Sequence, residues 1–115
     1  MSDFWPKEIR IGADRRRLTV AWDDGRSDEL AAHYLRVESP SAEVQGHGPG
    51  ERKVVTGREN VAISAVDPVG SYAIRITFDD GHSTGIFSWP YLRMLADEHE
   101  TRAERHRSEV AALGR

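Results

Sequence analysis

The chain contains no cysteine among its 115 residues. That absence excludes disulfides, thiolate metal sites and a thiol nucleophile together. No apolar run approaches the ~20 residues a membrane helix needs, and no apolar leader segment follows Met1. A cytoplasmic protein without membrane contact is therefore expected. A basic excess is missing too: the net charge is −3, which argues against a nucleic-acid partner held through phosphates. Catalytic signatures are equally scarce, with neither H-E-x-x-H nor a Walker motif present. In Gly46-His-Gly-Pro-Gly-Glu-Arg-Lys53, Glu51-Arg52 stands where a phosphate loop needs Gly-Lys.

What the chain does have is one unit written twice. Leu18-Thr-Val-Ala-Trp22-Asp23-Asp24-Gly25-Arg26-Ser27 leads to Leu30 and then Tyr34-Leu35-Arg36. Ile74-Arg-Ile-Thr-Phe78-Asp79-Asp80-Gly81-His82-Ser83 leads to Ile86 and then Tyr91-Leu92-Arg93, with one extra residue on the way. Each copy reads strand, tight turn, strand, helix start. Asp-Gly between alternating apolar residues is a hairpin signal, here expected as a type I′ turn. The paired acidic residues are turn chemistry, since aspartate accepts local backbone hydrogen bonds.

Glu8-Ile-Arg-Ile11 and Val61, Ile63, Ala65 alternate with a period of two and predict further strands. Asp67-Pro68-Val69-Gly70 is expected to turn, after which Tyr72, Ile74, Ile76 and Phe78 share one strand face. A short helix is expected over Ala31 to Val37, ending before Pro40. Ser41 to Lys53 is expected to be an irregular loop. Ser88 is a candidate cap for a helix entered through Pro90 and continuing for about twenty residues. The sequence predicts an α+β fold: a small strand-rich domain of antiparallel hairpins with a pseudo-repeat, one short helix and a longer C-terminal helix. Residues 1–96 form the domain and 97–115 a charged helical tail. Leu92, Ala96, His99, Ala103, His106, Val110 and Leu113 recur in steps of four and three, a small seam. It is read either as a solvated, frayed tail or as a helix for weak self-association or partner docking, on a protein that is a monomer or a weak dimer.

Leu35-Arg36-Val37-Glu38-Ser39-Pro40-Ser41-Ala42-Glu43-Val44 gathers two carboxylates, two hydroxyls and an arginine. His82 stands where the first copy has Arg26, and such a break in a repeat is a place where function is added. With Trp5-Pro6, Glu8-Ile9, Phe78-Asp79-Asp80-Gly81-His82, Gly85-Ile86-Phe87-Ser88-Trp89 and Tyr91-Leu92, this segment resembles the gamma-butyrobetaine hydroxylase-like N-terminal domain family. The resemblance spans about residues 5 to 95. It implies a domain found alone in bacteria, attached to iron–sulfur carrier ATPases, and ahead of the catalytic domain of 2-oxoglutarate-dependent hydroxylases. It also implies, for the hydroxylases, a zinc site of three cysteines and one histidine. Those cysteine positions match Ser39, Ser41 and Val44 here, and the histidine matches His82. Hydroxyls and a valine cannot replace thiolates around zinc, so no cofactor or metal is expected.

The leading expectation is thus a non-enzymatic accessory or protein-interaction domain linked to iron–sulfur or metalloprotein maturation. Its partner is an unknown protein and its contact surface comprises Arg36, Glu38, Ser39, Ser41, Glu43, His82 and Trp89. The alternatives are a ligand-binding module or small enzyme with a Glu38/Glu43/His82 pocket, and a weak histidine/carboxylate metal site.

Overall fold

The computed structural model describes residues 4–41, 44 and 54–113. Two three-stranded antiparallel meanders, each followed by a helix, make the fold. The first contains β1 (Pro6–Ile11), β2 (Arg17–Trp22) and β3 (Ser27–Ala31), then α1 (Ala32–Val37). The second contains β4 (Ile63–Val69), β5 (Ala73–Phe78) and β6 (Gly85–Ser88), then α2 (Trp89–Asp97). A last helix, α3 (His99–Leu113), follows. The repeat is therefore longer than the hairpin motif that announces it: each half is strand, strand, strand, helix.

The apolar sides of both halves meet in one core. Leu18, Val20 and Trp22 of β2 join Ile74, Ile76 and Phe78 of β5, with Leu35, Leu92 and Leu95 from the helices. Trp22 and Phe78 are each 1% exposed, so both hairpins turn their aromatic residue inward. Burial of this size is the main favourable term holding the halves together.

The two hairpin turns are equivalent atom for atom. The Gly25 N–H donates to Trp22 O and the Gly81 N–H to Phe78 O, at 3.3 and 3.0 Å. Trp22 N–H reaches Arg26 O and Phe78 N–H reaches His82 O. Gly25 and Gly81 have φ of 89° and 93°, whereas neither central aspartate has positive φ. The turns are thus type I followed by a glycine bulge, not the expected type I′, which needs positive φ at both central residues. Asp24 and Asp80 supply the local bonds, accepting from the N–H groups of Arg26 and His82, both at 3.1 Å.

The halves are also locked reciprocally. Arg93 Nη2 bonds Asp24 at 2.7 Å, while Arg36 Nε bonds Asp80 at 2.9 Å. Tyr34 donates its hydroxyl to Leu95 O at 2.7 Å, and Tyr91 donates to Glu38 O at 2.6 Å. Each Tyr-Leu-Arg therefore clasps the other half's turn and helix end, the arrangement of a two-fold contact. Burial raises the Tyr34 pKa, consistent with a hydroxyl held neutral against a carbonyl.

Four expectations are corrected. Asp67-Pro68-Val69 continues β4 and the turn comes at Gly70, because β4 is an edge strand where proline's missing N–H costs nothing. Tyr72 precedes β5 and is 57% exposed, so it does not share the face of Ile74. Phe87, opposite Ile74, is the buried mate of Leu30, which lies opposite Leu18. Ile86 points outward, so the extra residue falls before β6. The C-terminal helix is not continuous: it breaks at Glu98. Ser88 does cap α2, its Oγ accepting from Tyr91 N–H at 3.2 Å. Apart from Ser41 and Val44, the expected loop from Ser41 to Lys53 lies outside the described residues.

Candidate functional site

The end of α1, the residues after it and the second hairpin turn converge on His82. Its Nε2 lies 2.9 Å from Ser39 Oγ and 3.4 Å from Ser41 Oγ. Ser39 is fully buried, and Ser41 and His82 are each 7% exposed. Gly85 permits this approach, since a Cβ there would collide with Ser39 Oγ. Val44 is buried with Val37 and Val55, and shares with His82 the lining of a cavity of about 240 Å³. The four positions that the zinc resemblance singles out thus gather at one place. The donor set is nevertheless two hydroxyls, one aliphatic side chain and one imidazole. It does not fit zinc, which takes nitrogen, thiolate and carboxylate ligands. Among the described residues, no three histidine or acidic side chains stand close enough to hold a metal ion.

The same cavity is lined by Arg36, Thr56 and Arg58. Asp80 Oδ2 accepts a hydrogen bond from Arg36 Nε at 2.9 Å and makes an ion-pair contact with Arg58 Nε at 2.7 Å, without hydrogen-bond alignment. Burial alone would raise the Asp80 pKa; the His82 N–H and the Arg36 guanidinium outweigh it and hold the carboxyl below its ordinary value. Among the described residues one carboxylate therefore serves two guanidiniums, and Arg36 Nη1 is buried without an acceptor.

Glu38 belongs to a different network. It is fully buried, and its Oε1 takes Arg102 Nη1 at 2.8 Å and Arg105 Nη2 at 3.1 Å, both from α3. Its mate in the second half is the core residue Leu95, so packing does not require a carboxylate here. Trp89 is separate again. Its Nε1–H donates to Ser71 O at 2.9 Å. Its ring borders an apolar groove of about 530 Å³ between β1 and β4, lined by Ile9, Ile11, Val66, Pro68 and Ile74. Of the expected surface, Ser39, Ser41, His82 and Arg36 come together, while Glu38 and Trp89 serve other contacts. Glu43 lies outside the described residues.

Sequence reasoning missed Asp80, Arg58 and the arginines of α3. Asp80 was legible in principle, because Asp-Asp-Gly and Tyr-Leu-Arg recur together and each needs a charged partner. Where the second half has His82 facing Ser39, the first has Arg26 bound to Asp97 and Asp28, at 2.5 and 3.0 Å. An ion pair closes one end of the pseudo-symmetric pair and a polar cluster the other.

A family model described as gamma-butyrobetaine hydroxylase-like, N-terminal matches residues 9–93. The chain belongs to that family. A protein of unknown function from Acidithiobacillus ferrooxidans, placed in the DUF971 family, is 44% identical in its crystal structure. That match covers 79% of this chain and 91% of the other, with a TM-score of 0.66. Two proteins solved by NMR in solution are 39% and 38% identical, with TM-scores of 0.81 and 0.84. Those matches cover 96% and 100% of this chain and 87% and 86% of theirs. No curated protein matches the chain. No helix among the described residues is long and apolar enough to cross a membrane.

Proposed function

We propose that this domain works without catalysis, as an accessory module that binds a protein partner in iron–sulfur or other metalloprotein maturation. The observation that supports an interaction role is the groove beside Trp89, lined by Ile9, Ile11, Val66, Pro68 and Ile74. β1 and β4 are both sheet edges, so the partner finds apolar side chains flanked by backbone groups that pair on one side only. Ser39 and Ser41 hold His82, and Glu38 holds α3. The link to metalloprotein maturation comes from the attachments of the family, an argument by association.

The test is capture from native extract with the intact chain as bait. Iron–sulfur maturation proteins are expected to be retained, and to be lost with Ile9→Asp plus Val66→Asp while Ser39→Ala keeps them. Retention of the same proteins by the double variant, or absence of such proteins altogether, overturns the reading.

A second reading, binding of a small anion, is favoured by the cavity in which Arg36 and Arg58 share Asp80 and Arg36 Nη1 has no acceptor among the described residues. A buried donor left unpaired costs about 1–3 kcal/mol, which an entering oxygen recovers. Titration with inorganic phosphate and with acetate, followed by NMR, is expected to shift the resonances of Thr56 and His82. Arg58→Gln is expected to remove the response. Unmoved spectra at tens of millimolar anion discard this reading.

A further inference from the structure

From Tyr91 to Leu113 the chain has neither glycine nor proline, so local sequence favours one uninterrupted helix. The helix nevertheless breaks at Glu98, whose φ and ψ are −104° and 19°. Backbone bonds of helical spacing run on across the break: Glu98 N–H to Met94 O and Arg102 N–H to Glu98 O, both 2.9 Å. A kink needs a cause, and here it lies outside the helix. Arg102 and Arg105 are drawn to Glu38, and His106 Nε2–H donates to Val55 O at 2.7 Å. His99 stacks edge-on against Tyr34, with ring centres 4.8 Å apart.

No residue of α3 is fully buried. Between it and the domain a cleft of about 180 Å³ persists, lined by Ala31, His33, Tyr34 and Val37 against His99, Ala103 and His106. The arm is held by charge and hydrogen bonds rather than by a packed seam. The seam residues His99, Ala103 and His106 face this cleft, so the surface expected to serve self-association is turned onto the chain's own domain. The seat is specific, since it accepts two arginines three positions apart and a histidine directly after the second.

We propose that α3 is a hinged arm, and that the seat around Glu38 also receives the α3 of a second copy when the hinge straightens. In the straight form every docking interaction broken within one chain is remade between two, in both directions, as a two-fold exchange requires. The gain is an unbent helix in each copy. The cost is association, opposed by an effective concentration in the millimolar range for so short a tether. The dilute protein is therefore a closed monomer, and exchange appears at high concentration once the arm has been loosened.

Acid loosens it. Burial first, and His106 second, push the His33 pKa below its ordinary value, while Glu59 acts the other way. His33 Nε2 is buried with no acceptor among the described residues. The groups facing it or lining the same cleft are His99, His106 and Arg107 of α3, Tyr34 of its own helix, and Glu59. A base whose pKa is depressed in the docked state favours docking at neutral pH, and that contribution fades as pH falls below about 6.5.

The test concentrates the full chain to about 1 mM at pH 5, returns it to pH 7.5, dilutes it and measures mass by light scattering. A species of twice 12.9 kDa is expected. Because the chain has no native cysteine, Ala31→Cys with Ala103→Cys reports which copy fills the seat. The monomer closes an internal disulfide, whereas the exchanged dimer runs at double mass without reductant. Glu98→Gly disfavours the straight helix in both copies and is expected to lower the dimer fraction about tenfold. Arg102→Gln with Arg105→Gln, which takes both α3 partners from Glu38, is expected to abolish it. A strictly monomeric protein after the acid cycle overturns the exchange and leaves α3 a strap within one chain. So does a dimer whose cysteines close only internally, or one indifferent to Glu98→Gly. None of these outcomes involves the partner proposed above.

Discussion

Replacing Gly85 by alanine will cost the domain about 2–4 kcal/mol, read as a lower midpoint of chemical denaturation with little change in slope. Gly85 does not have positive φ, so backbone strain plays no part. The cost is steric. A Cβ would collide with Ser39 Oγ and stand 3.1 Å from the Phe87 ring, both in fully buried residues. Ser39 could yield only by rotating away from His82, giving up a 2.9 Å contact between a fully buried hydroxyl and a nearly buried imidazole. Overpacking alone typically costs 1–3 kcal/mol, and a weakened buried polar contact adds roughly 1 kcal/mol or more. Removing the obstructing oxygen separates the two terms. Ser39→Ala should make Gly85→Ala cheaper by about 1 kcal/mol, a coupling that a double-mutant cycle measures directly. Strict additivity would mean that Ser39 is not what Gly85 makes room for.

The value of that experiment is that it probes the joint between the two halves of the repeat. Gly85 belongs to the second half and Ser39 to the end of the first. The other joints obey the pseudo-symmetry: Arg93 with Asp24 and Arg36 with Asp80, Tyr34 with Leu95 and Tyr91 with Glu38. The site is where that symmetry fails. An ion pair between Arg26 and Asp97 closes one end, and Ser39, Ser41 and His82 close the other. Glu38 in place of a leucine breaks it again, and the arginines of α3 answer that substitution. α3 lies beyond the residues matched by the family model, which ends at 93.

The paired hairpins, the short first helix and the Ser88 cap could be read from residues because each depends on neighbours in the chain. Alternation, Asp-Gly and Ser-x-Pro are local signals, and local signals determine strands, turns and caps. The turn subtype was less accessible, since type I with a bulge and type I′ draw on the same residues. Pro68 misled because a proline is tolerated on an edge strand, and edges are set by the sheet, not by the strand. The bend at Glu98 left no trace at all. Residues 97–99 are Asp-Glu-His, ordinary helix residues, and the contacts that hold the bent arm on the domain run to a carboxylate about sixty positions earlier. Ser39, Ser41 and His82 meet in space, but the spacing of two serines and a distant histidine carries no signal of its own; only the resemblance puts them together.

Placing three thiolates at this site should turn it into a zinc centre. Ser39→Cys, Ser41→Cys and Val44→Cys together would offer three sulfurs beside the His82 imidazole, the Cys3His set of a closed structural site. The geometry is close to what the metal needs. Zn–S of about 2.3 Å and Zn–N of about 2.0 Å set sulfur and nitrogen roughly 3.5 Å apart in a tetrahedron. The serine oxygens already stand 2.9 and 3.4 Å from His82 Nε2. Structural zinc sites of this kind are worth about 10–16 kcal/mol of apparent binding free energy at neutral pH. One zinc per chain with nanomolar or tighter affinity is therefore expected, together with a large rise in melting temperature that a chelator reverses. The natural chain should take up zinc well below stoichiometry when assayed untagged, because its donors at these positions are hydroxyls and an alkyl group. Adding His82→Ala to the triple variant should weaken binding by orders of magnitude, identifying the imidazole as the fourth ligand. A folded triple variant that leaves zinc in solution would mean that residue 44 does not close on the other three, and that the hydroxyl–imidazole cluster is a local contact only.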